Sequence, residues 1–247
     1  MKHLLKGSLC AALLLSLMPQ ARAEDAAKEP LPTAVFKNLQ AGKKQAVVVY
    51  GTSLTAGGAW AKSLKEYFDK NFPGQVDFTN AAKNGMHSDW GMANLEERVL
   101  AKKPDLVFIE FAVNDASTKN NVPLEKSQAN LDGMVKALRK QNPQVDIVLQ
   151  TMDPAWDSPR VPEKKYGSDR PNLEAYYDGY RKYARENGLP LVDNYPNWLK
   201  IQKEEPERYQ KMVPDGIHPS STVSVAVTWP AVEALLEKAR AAAAASK

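Results

Sequence analysis

The sequence predicts an α/β protein, a three-layer α/β/α sandwich built on a mainly parallel, five-stranded sheet. Two observations predict it. Five short apolar runs, most of them rich in β-branched residues, alternate along the chain with longer segments of helical spacing. The strongest of those runs are continuous rather than alternating, as expected for strands buried on both faces. Composition agrees. A chain of 247 residues with 43% hydrophobic and 25% charged side chains can bury a sizeable core. Those values exclude a mostly disordered chain, a collagen-like repeat and a multi-span membrane protein.

Taken in order, residues 1–23 have the pattern of an export signal. Lys2, His3 and Lys6 form a basic start, and residues 9–18 form an apolar run too short to span a bilayer. Ala21-Arg22-Ala23 puts small residues where a signal peptidase cuts, so cleavage is expected after Ala23. Leu9 stands before Cys10 where a lipid-attachment motif wants a small residue, which argues against a lipoprotein. The expected location is therefore periplasmic or extracellular, with no stable membrane insertion after the signal is removed. Residues 24–44 form a polar, proline-bearing leader, and residues 45–247 are expected to form one domain.

Within that domain the strands are predicted at 46–50, 76–80, 106–111, 145–151 and 189–193. The first helix is predicted at 58–72, with Trp60, Leu64, Tyr67 and Phe68 on one face and Pro73-Gly74 ending it. Further helices are predicted at 92–103, 123–142, 171–187, 197–212 and 223–245. No linker divides these elements and no internal repeat is present.

Removing the signal also changes the chemistry available. Without Lys2, Lys6 and Arg22, the 33 bases fall to 30 against 29 acids. No basic arm or stripe remains to suggest a nucleic-acid partner. Cys10 is the only cysteine and departs with the signal, which removes disulfides, thiolate nucleophiles and cysteine metal ligands. Of three histidines, His87 and His218 remain, too few to suggest a metal site, and no cofactor is expected.

In such sheets ligands bind beyond the carboxyl ends of the strands. The first strand runs into Gly51-Thr52-Ser53-Leu54. A serine there lies at a strand-to-helix turn, where backbone N–H groups favour developing negative charge; it is equally at home as a plain helix cap. After the second strand, Gly85 can let its N–H approach a ligand, and after the third, Asn114 can donate from its amide. Both are also common turn residues. Near the C-terminus, Asp215 and His218 sit three apart in a Gly- and Pro-bounded loop. The carboxylate can accept Nδ1–H and leave Nε2 free as a base. The phosphate-binding, dinucleotide-binding and G-x-S-x-G patterns are absent at the first turn.

These four blocks, in this order from about residue 46 to 220, resemble the SGNH (GDSL-type) hydrolase family, whose fold is flavodoxin-like. The resemblance implies an esterase that forms an acyl-enzyme. It implies that Ser53 is the nucleophile, His218 the general base and Asp215 its support. The implied oxyanion hole is the N–H of Ser53, the N–H of Gly85 and the Asn114 amide. Two positions depart from the family pattern. Thr52 stands where Asp is usual, and Ala112 where Gly is usual.

The substrate is expected to be a small-molecule or polysaccharide ester, with a small acyl group such as acetyl on carbohydrate favoured. Residues 153–172 form a long polar segment after the fourth strand, poorly suited to cover a long acyl chain. His87, Trp90 and Trp156 are candidate substrate contacts near strand ends. Trp60 is read as core, and Tyr176, Tyr180 and Tyr183 as a packing face. Two rival readings stand beside this one: a lipolytic or broad arylesterase or lysophospholipase on the same machinery, and a non-catalytic binding module that Thr52 and Ala112 would mark.

Overall fold

A computed structural model describes residues 29–246. The export-signal reading at 1–23, with Cys10, lies outside the described residues. The five predicted strands all form: β1 Gln45–Gly51, β2 Val76–Asn80, β3 Leu106–Glu110, β4 Asp146–Thr151 and β5 Leu191–Asp193. They make one sheet in the order β2-β1-β3-β4-β5, and every pair is parallel. Val49 pairs with Phe108, and Phe108 with Val148, so the central strands present aligned apolar rows. β3 is buried along its whole length, whereas the edge strands β2 and β5 are only partly covered. That difference explains why the central runs read as continuous apolar stretches and the edge runs did not.

The described helices are α1 Thr33–Gln40, α2 Ser53–Ala56, α3 Ala59–Asn71, α4 Ser88–Ala93, α5 Leu95–Arg98, α6 Ala112–Asp115, α7 Leu124–Gln141, α8 Leu173–Asn187, α9 Tyr195–Glu204, α10 Pro206–Met212, α11 Ser221–Val227 and α12 Trp229–Ala244. α1, α3 and α12 pack together on one side of the sheet, and α4, α7 and α8 on the other. The result is the predicted three-layer sandwich. Trp60 is fully buried, as are Phe36, Phe68 and Phe108 of the core, with Phe36 stacked on Phe68. The tyrosines of α8 pack as read, and the buried Tyr180 hydroxyl accepts the Phe111 N–H at 3.1 Å.

Three predicted helices are divided. The segment 92–103 becomes the end of α4, then α5, then a 3₁₀ turn at Leu100–Lys102. At the first break the Asn94 side chain donates to the Trp90 carbonyl at 2.8 Å, competing with the helical ladder. The segment 197–212 divides into α9 and α10 at Pro206, which has no N–H to continue the ladder and instead opens a new helix. Pro230 does the same in the first turn of α12.

Part of the leader is integral to the core. α1 buries Val35, Phe36 and Leu39, and Phe36 lies 6.0 Å from the rings of both Phe68 and Phe72. The Val35 N–H donates to the Asp146 carboxylate at 2.8 Å, tying the start of α1 to the start of β4.

Candidate active site

Because all strands are parallel, their carboxyl ends open on one side of the molecule. The chain leaves β1 for β2 on one flank and then crosses to β3 on the other. The topological switch point therefore lies between β1 and β3, where open α/β sheets bind ligands. The loops after β1, β2 and β3 all converge there.

Ser53 is the first residue of α2. Its N–H is one of the orphan donors of a helix start and finds no protein acceptor among the described residues. Thr52 caps the helix, its hydroxyl accepting the Leu54 N–H at 3.2 Å. The cap is itself anchored. Thr52 Oγ1 donates to Glu110 at 2.9 Å, the Thr52 N–H donates to the same carboxylate at 3.1 Å, and Thr55 Oγ1 does so at 2.8 Å. Glu110 is buried at the end of β3. Burial pushes its carboxyl up to about 7, against the opposing hydrogen bonds from Thr55 and Thr52. Gly51 is required beside it. A Cβ at that position would meet the Glu110 carbonyl oxygen at 2.4 Å and Oε2 at 2.6 Å. Thr52 thus departs from the family's usual Asp, and Glu110 supplies a carboxylate to this turn from the neighbouring strand.

The Ser53 hydroxyl lies 2.8 Å from His218 Nε2, across 165 residues of sequence. On the far side of the ring, Nδ1 lies 2.6 Å from Asp215 Oδ2. Asp215 Oδ1 accepts the backbone N–H groups of His218 at 2.8 Å and Ile217 at 3.0 Å. Partial burial would raise this carboxyl, but the hydrogen bonds from the His218 ring and from both backbone amides outweigh it. The group is held at about 2. It is therefore ionised at neutral pH and accepts from Nδ1–H, leaving Nε2 with a lone pair toward Ser53. The Tyr166 ring stands edge-on to the imidazole at 6.2 Å.

Gly85 sits in the left-handed region, at φ +74°, in the loop after β2. Its N–H has no protein acceptor among the described residues. Asn114, in α6 beyond β3, is buried and its amide is engaged at both ends. Nδ2 donates to the Met86 carbonyl at 2.9 Å, and Oδ1 accepts from Arg170 Nη2 at 3.0 Å. Ala112 is fully buried in the same turn.

Ser53, Gly85, Asn114 and His218 line a single cleft of about 500 Å³, together with Asn84, Ser117, Lys119, Asn120, Tyr166 and Arg170 among others. A smaller cavity of about 180 Å³ opens on the other side of Ser53 and His218, walled by Leu54, Gly57, Met152 and Pro219. The arrangement can take a proton from a serine hydroxyl and offer N–H donors to an adjacent oxyanion.

The structure does not bring His87, Trp90 or Trp156 to this cleft. His87 precedes α4, with Nδ1 buried and without a hydrogen-bond partner among the described residues. Trp90 lies against Tyr50, with the cationic groups of Lys83 and Arg98 at 5.8 and 5.0 Å from its ring centre. Trp156 braces the Asp215–His218 loop instead. Its Nε1 donates to the Val213 carbonyl at 2.8 Å, and its N–H to the Gly216 carbonyl at 2.9 Å. Glu110, Tyr166 and Arg170 are the residues that the sequence alone did not single out. The segment 153–172 does overhang the site, and it is the segment that delivers Tyr166 and Arg170.

Comparison with known proteins agrees with the fold and with the blocks. The model of the GDSL-like lipase/acylhydrolase family matches residues 49–223. A mouse (Mus musculus) protein, isoamyl acetate-hydrolyzing esterase 1 homolog, is 28% identical over 193 residues, covering 70% of this chain and 74% of its own. Among solved structures, the acetylxylan esterase Axe2 from Geobacillus stearothermophilus superposes with a TM-score of 0.62 at 20% identity, covering 78% of this chain and 94% of that one. A two-domain esterase active on acetylated mannans superposes with a TM-score of 0.62 at 24% identity, covering 83% of this chain and 52% of that one. The family match spans well over half of the sequence, from β1 to α11, and it includes every block that converges on the cleft; the chain belongs to the GDSL-like lipase/acylhydrolase family and is a carboxylic ester hydrolase.

Proposed function

We propose that the protein is an exported serine esterase that removes small acyl groups, acetyl above all, from carbohydrate. The observation that carries the catalytic part is the relay from Ser53 Oγ to His218 Nε2 at 2.8 Å and from Nδ1 to Asp215 at 2.6 Å. Ser53 Oγ attacks the ester carbonyl carbon while its proton passes to His218 Nε2. The carbonyl oxygen becomes an oxyanion facing the N–H groups of Ser53 and Gly85 and the Asn114 amide. The tetrahedral intermediate then expels the alcohol oxygen, which takes the proton from His218, and the acyl group stays on Ser53. Water, deprotonated by His218, attacks the acyl carbon. Ser53 leaves with that proton, and the free acid departs.

The substrate part rests on the shape and polarity of the two cavities. The larger one is lined by amide, hydroxyl and ammonium groups such as Asn84, Ser117, Lys119 and Asn120, partners for sugar hydroxyls rather than for a hydrocarbon chain. The smaller one, about 180 Å³ beside Ser53, suits a short acyl group. Of the similar proteins named above, one is a homolog of an isoamyl acetate-hydrolyzing esterase, one is an acetylxylan esterase and one is active on acetylated mannans. Export is supported by the basic, apolar and small-residue pattern of residues 1–23.

The test is hydrolysis of p-nitrophenyl acetate and octanoate by the enzyme and by Ser53→Ala, followed by acetylated xylooligosaccharide and isoamyl acetate. Turnover of acetate well above octanoate, lost in the variant, with the acetylated sugar preferred over isoamyl acetate, is the expected result. Undiminished turnover in Ser53→Ala would refute the nucleophile assignment. A preference for octanoate would favour the lipolytic reading.

A further inference from the structure

We propose that Arg170 is a positioning residue of the oxyanion hole: it fixes the amide of Asn114 and places a positive charge behind it. The proposal rests on the reading of Asn114 as an oxyanion donor given above. An asparagine amide is nearly symmetric in shape, so which end faces a substrate depends on its hydrogen bonds. Here Arg170 Nη2 donates to Oδ1 at 3.0 Å, and a guanidinium can only donate. That contact assigns Oδ1 to the arginine side. One hydrogen of Nδ2 goes to the Met86 carbonyl at 2.9 Å, and the other remains for the cleft that Ser53, Gly85 and His218 share.

Arg170 is itself fixed from several sides. Nε donates to the Val113 carbonyl at 2.7 Å and Nη1 to the Tyr166 carbonyl at 3.3 Å. The guanidinium carbon lies 5.4 Å from the centre of the Tyr166 ring, and Asp169 Oδ2 is 3.6 Å from Nη1. Asp169 is in turn held by Ser117 Oγ at 2.5 Å and Thr118 Oγ1 at 2.7 Å, both just beyond α6. The guanidinium side chain is 5% exposed. A planar fork locked in this way cannot follow a flipped amide, so the arginine selects one orientation. Its charge also polarises the Asn114 N–H groups, so that Arg170 acts on the oxyanion through the amide it holds.

The experiment is a double-mutant cycle on p-nitrophenyl acetate with Arg170→Met, Arg170→Lys and Asn114→Ala, and Arg170→Ala for chemical rescue, each variant monitored by circular dichroism. Arg170→Met is expected to lower kcat by about 10- to 100-fold with KM changed by less than about threefold, because the lost contact acts in the transition state. In the Asn114→Ala background the same change should cost less than about twofold, since its partner is gone. Arg170→Lys keeps the charge but not the fork, and should fall between wild type and Arg170→Met. Added guanidinium should restore part of the kcat of Arg170→Ala. If Arg170→Met does not fold, the Lys variant carries the cycle. Unchanged kcat, or equal losses with and without Asn114, would overturn the proposal. Normal turnover by Ser53→Ala would instead sink the reading of the site on which it rests, which keeps the two failures distinct.

Discussion

Asp215 directs both of its carboxylate oxygens at one short loop. Oδ2 takes the His218 ring and Oδ1 takes the backbone N–H groups of His218 and Ile217, so the carboxylate fixes the loop and the imidazole together. Asp215→Asn should therefore separate the two roles. The asparagine can still accept backbone N–H groups, but an NH₂ facing Nδ1 favours the tautomer that points a proton at Ser53. We expect kcat to fall by about 10³–10⁴ with folding stability little changed, measured on p-nitrophenyl acetate beside a thermal melt. A loss under about tenfold would show that Asp215 only shapes the loop. At this scale the sequence was informative where chemistry is packed into a few consecutive residues. Asp215 and His218 lie three apart, and Ser53 and Gly85 follow strand ends directly. It was silent on Glu110, which inside the run Leu106–Glu110 looks like a strand's last residue, because its partners Thr52 and Thr55 lie 58 and 55 residues away. Arg170 was hidden for the same reason, 56 residues from Asn114.

The elements were legible where periodicity and breakers agree, and less so where tertiary contacts decide. β1, β3 and β4 follow from their apolar runs, and α8 stops where Gly188 adopts φ +60°. The divisions at Pro206 and Pro230 carried a readable signal, the missing proline N–H. The break at Asn94 did not, since any polar residue in an amphipathic helix looks alike until its side chain chooses a carbonyl. α1 is the clearest case. Its short stretch, flanked by Pro30, Pro32 and a polar leader, reads as peripheral, yet Phe36 is fully buried between the sheet and α3. Phe36→Ala should cost about 3–5 kcal/mol of stability, read from urea or thermal unfolding of the whole chain, without altering KM. A cost under about 1 kcal/mol would make α1 an appendage. Residues 153–172 work in the opposite direction. They contain no helix or strand, yet through Trp156, Tyr166, Asp169 and Arg170 they join the Asp215–His218 loop to the turn that carries Asn114.

On the scale of the whole molecule, buried carboxyl groups set how stability responds to pH. Burial pushes Glu110 up to about 7 from an ordinary value of 4.5, and Asp146 up to about 7 from 3.8. Asp153, buried with neither carboxylate oxygen partnered among the described residues, is raised in the same direction by burial, with the charges of Glu110 and Asp215 adding to it. A carboxyl whose folded pKa is raised binds its proton more tightly in the folded state than in the unfolded one. Stability then falls as pH rises between the unfolded and folded values, here from about 4 to 7. Asp215 has the opposite sign. Its depressed value near 2 means that its contribution is present above about 4 and lost only in stronger acid. The two effects act in different pH windows, the first between about 4 and 7 and the second below about 4. Glu110→Gln tests the cause. The amide keeps the shape and an acceptor for Thr52 and Thr55 but has no proton to exchange, so the melting temperature of this variant should depend less steeply on pH between 4 and 7 than that of the wild type. Asp146 and Asp153 would supply the slope that remains. Parallel melting-temperature profiles for the two proteins would show that Glu110 titrates alike in the folded and unfolded chain, and that the turn beneath Ser53 is held by geometry alone.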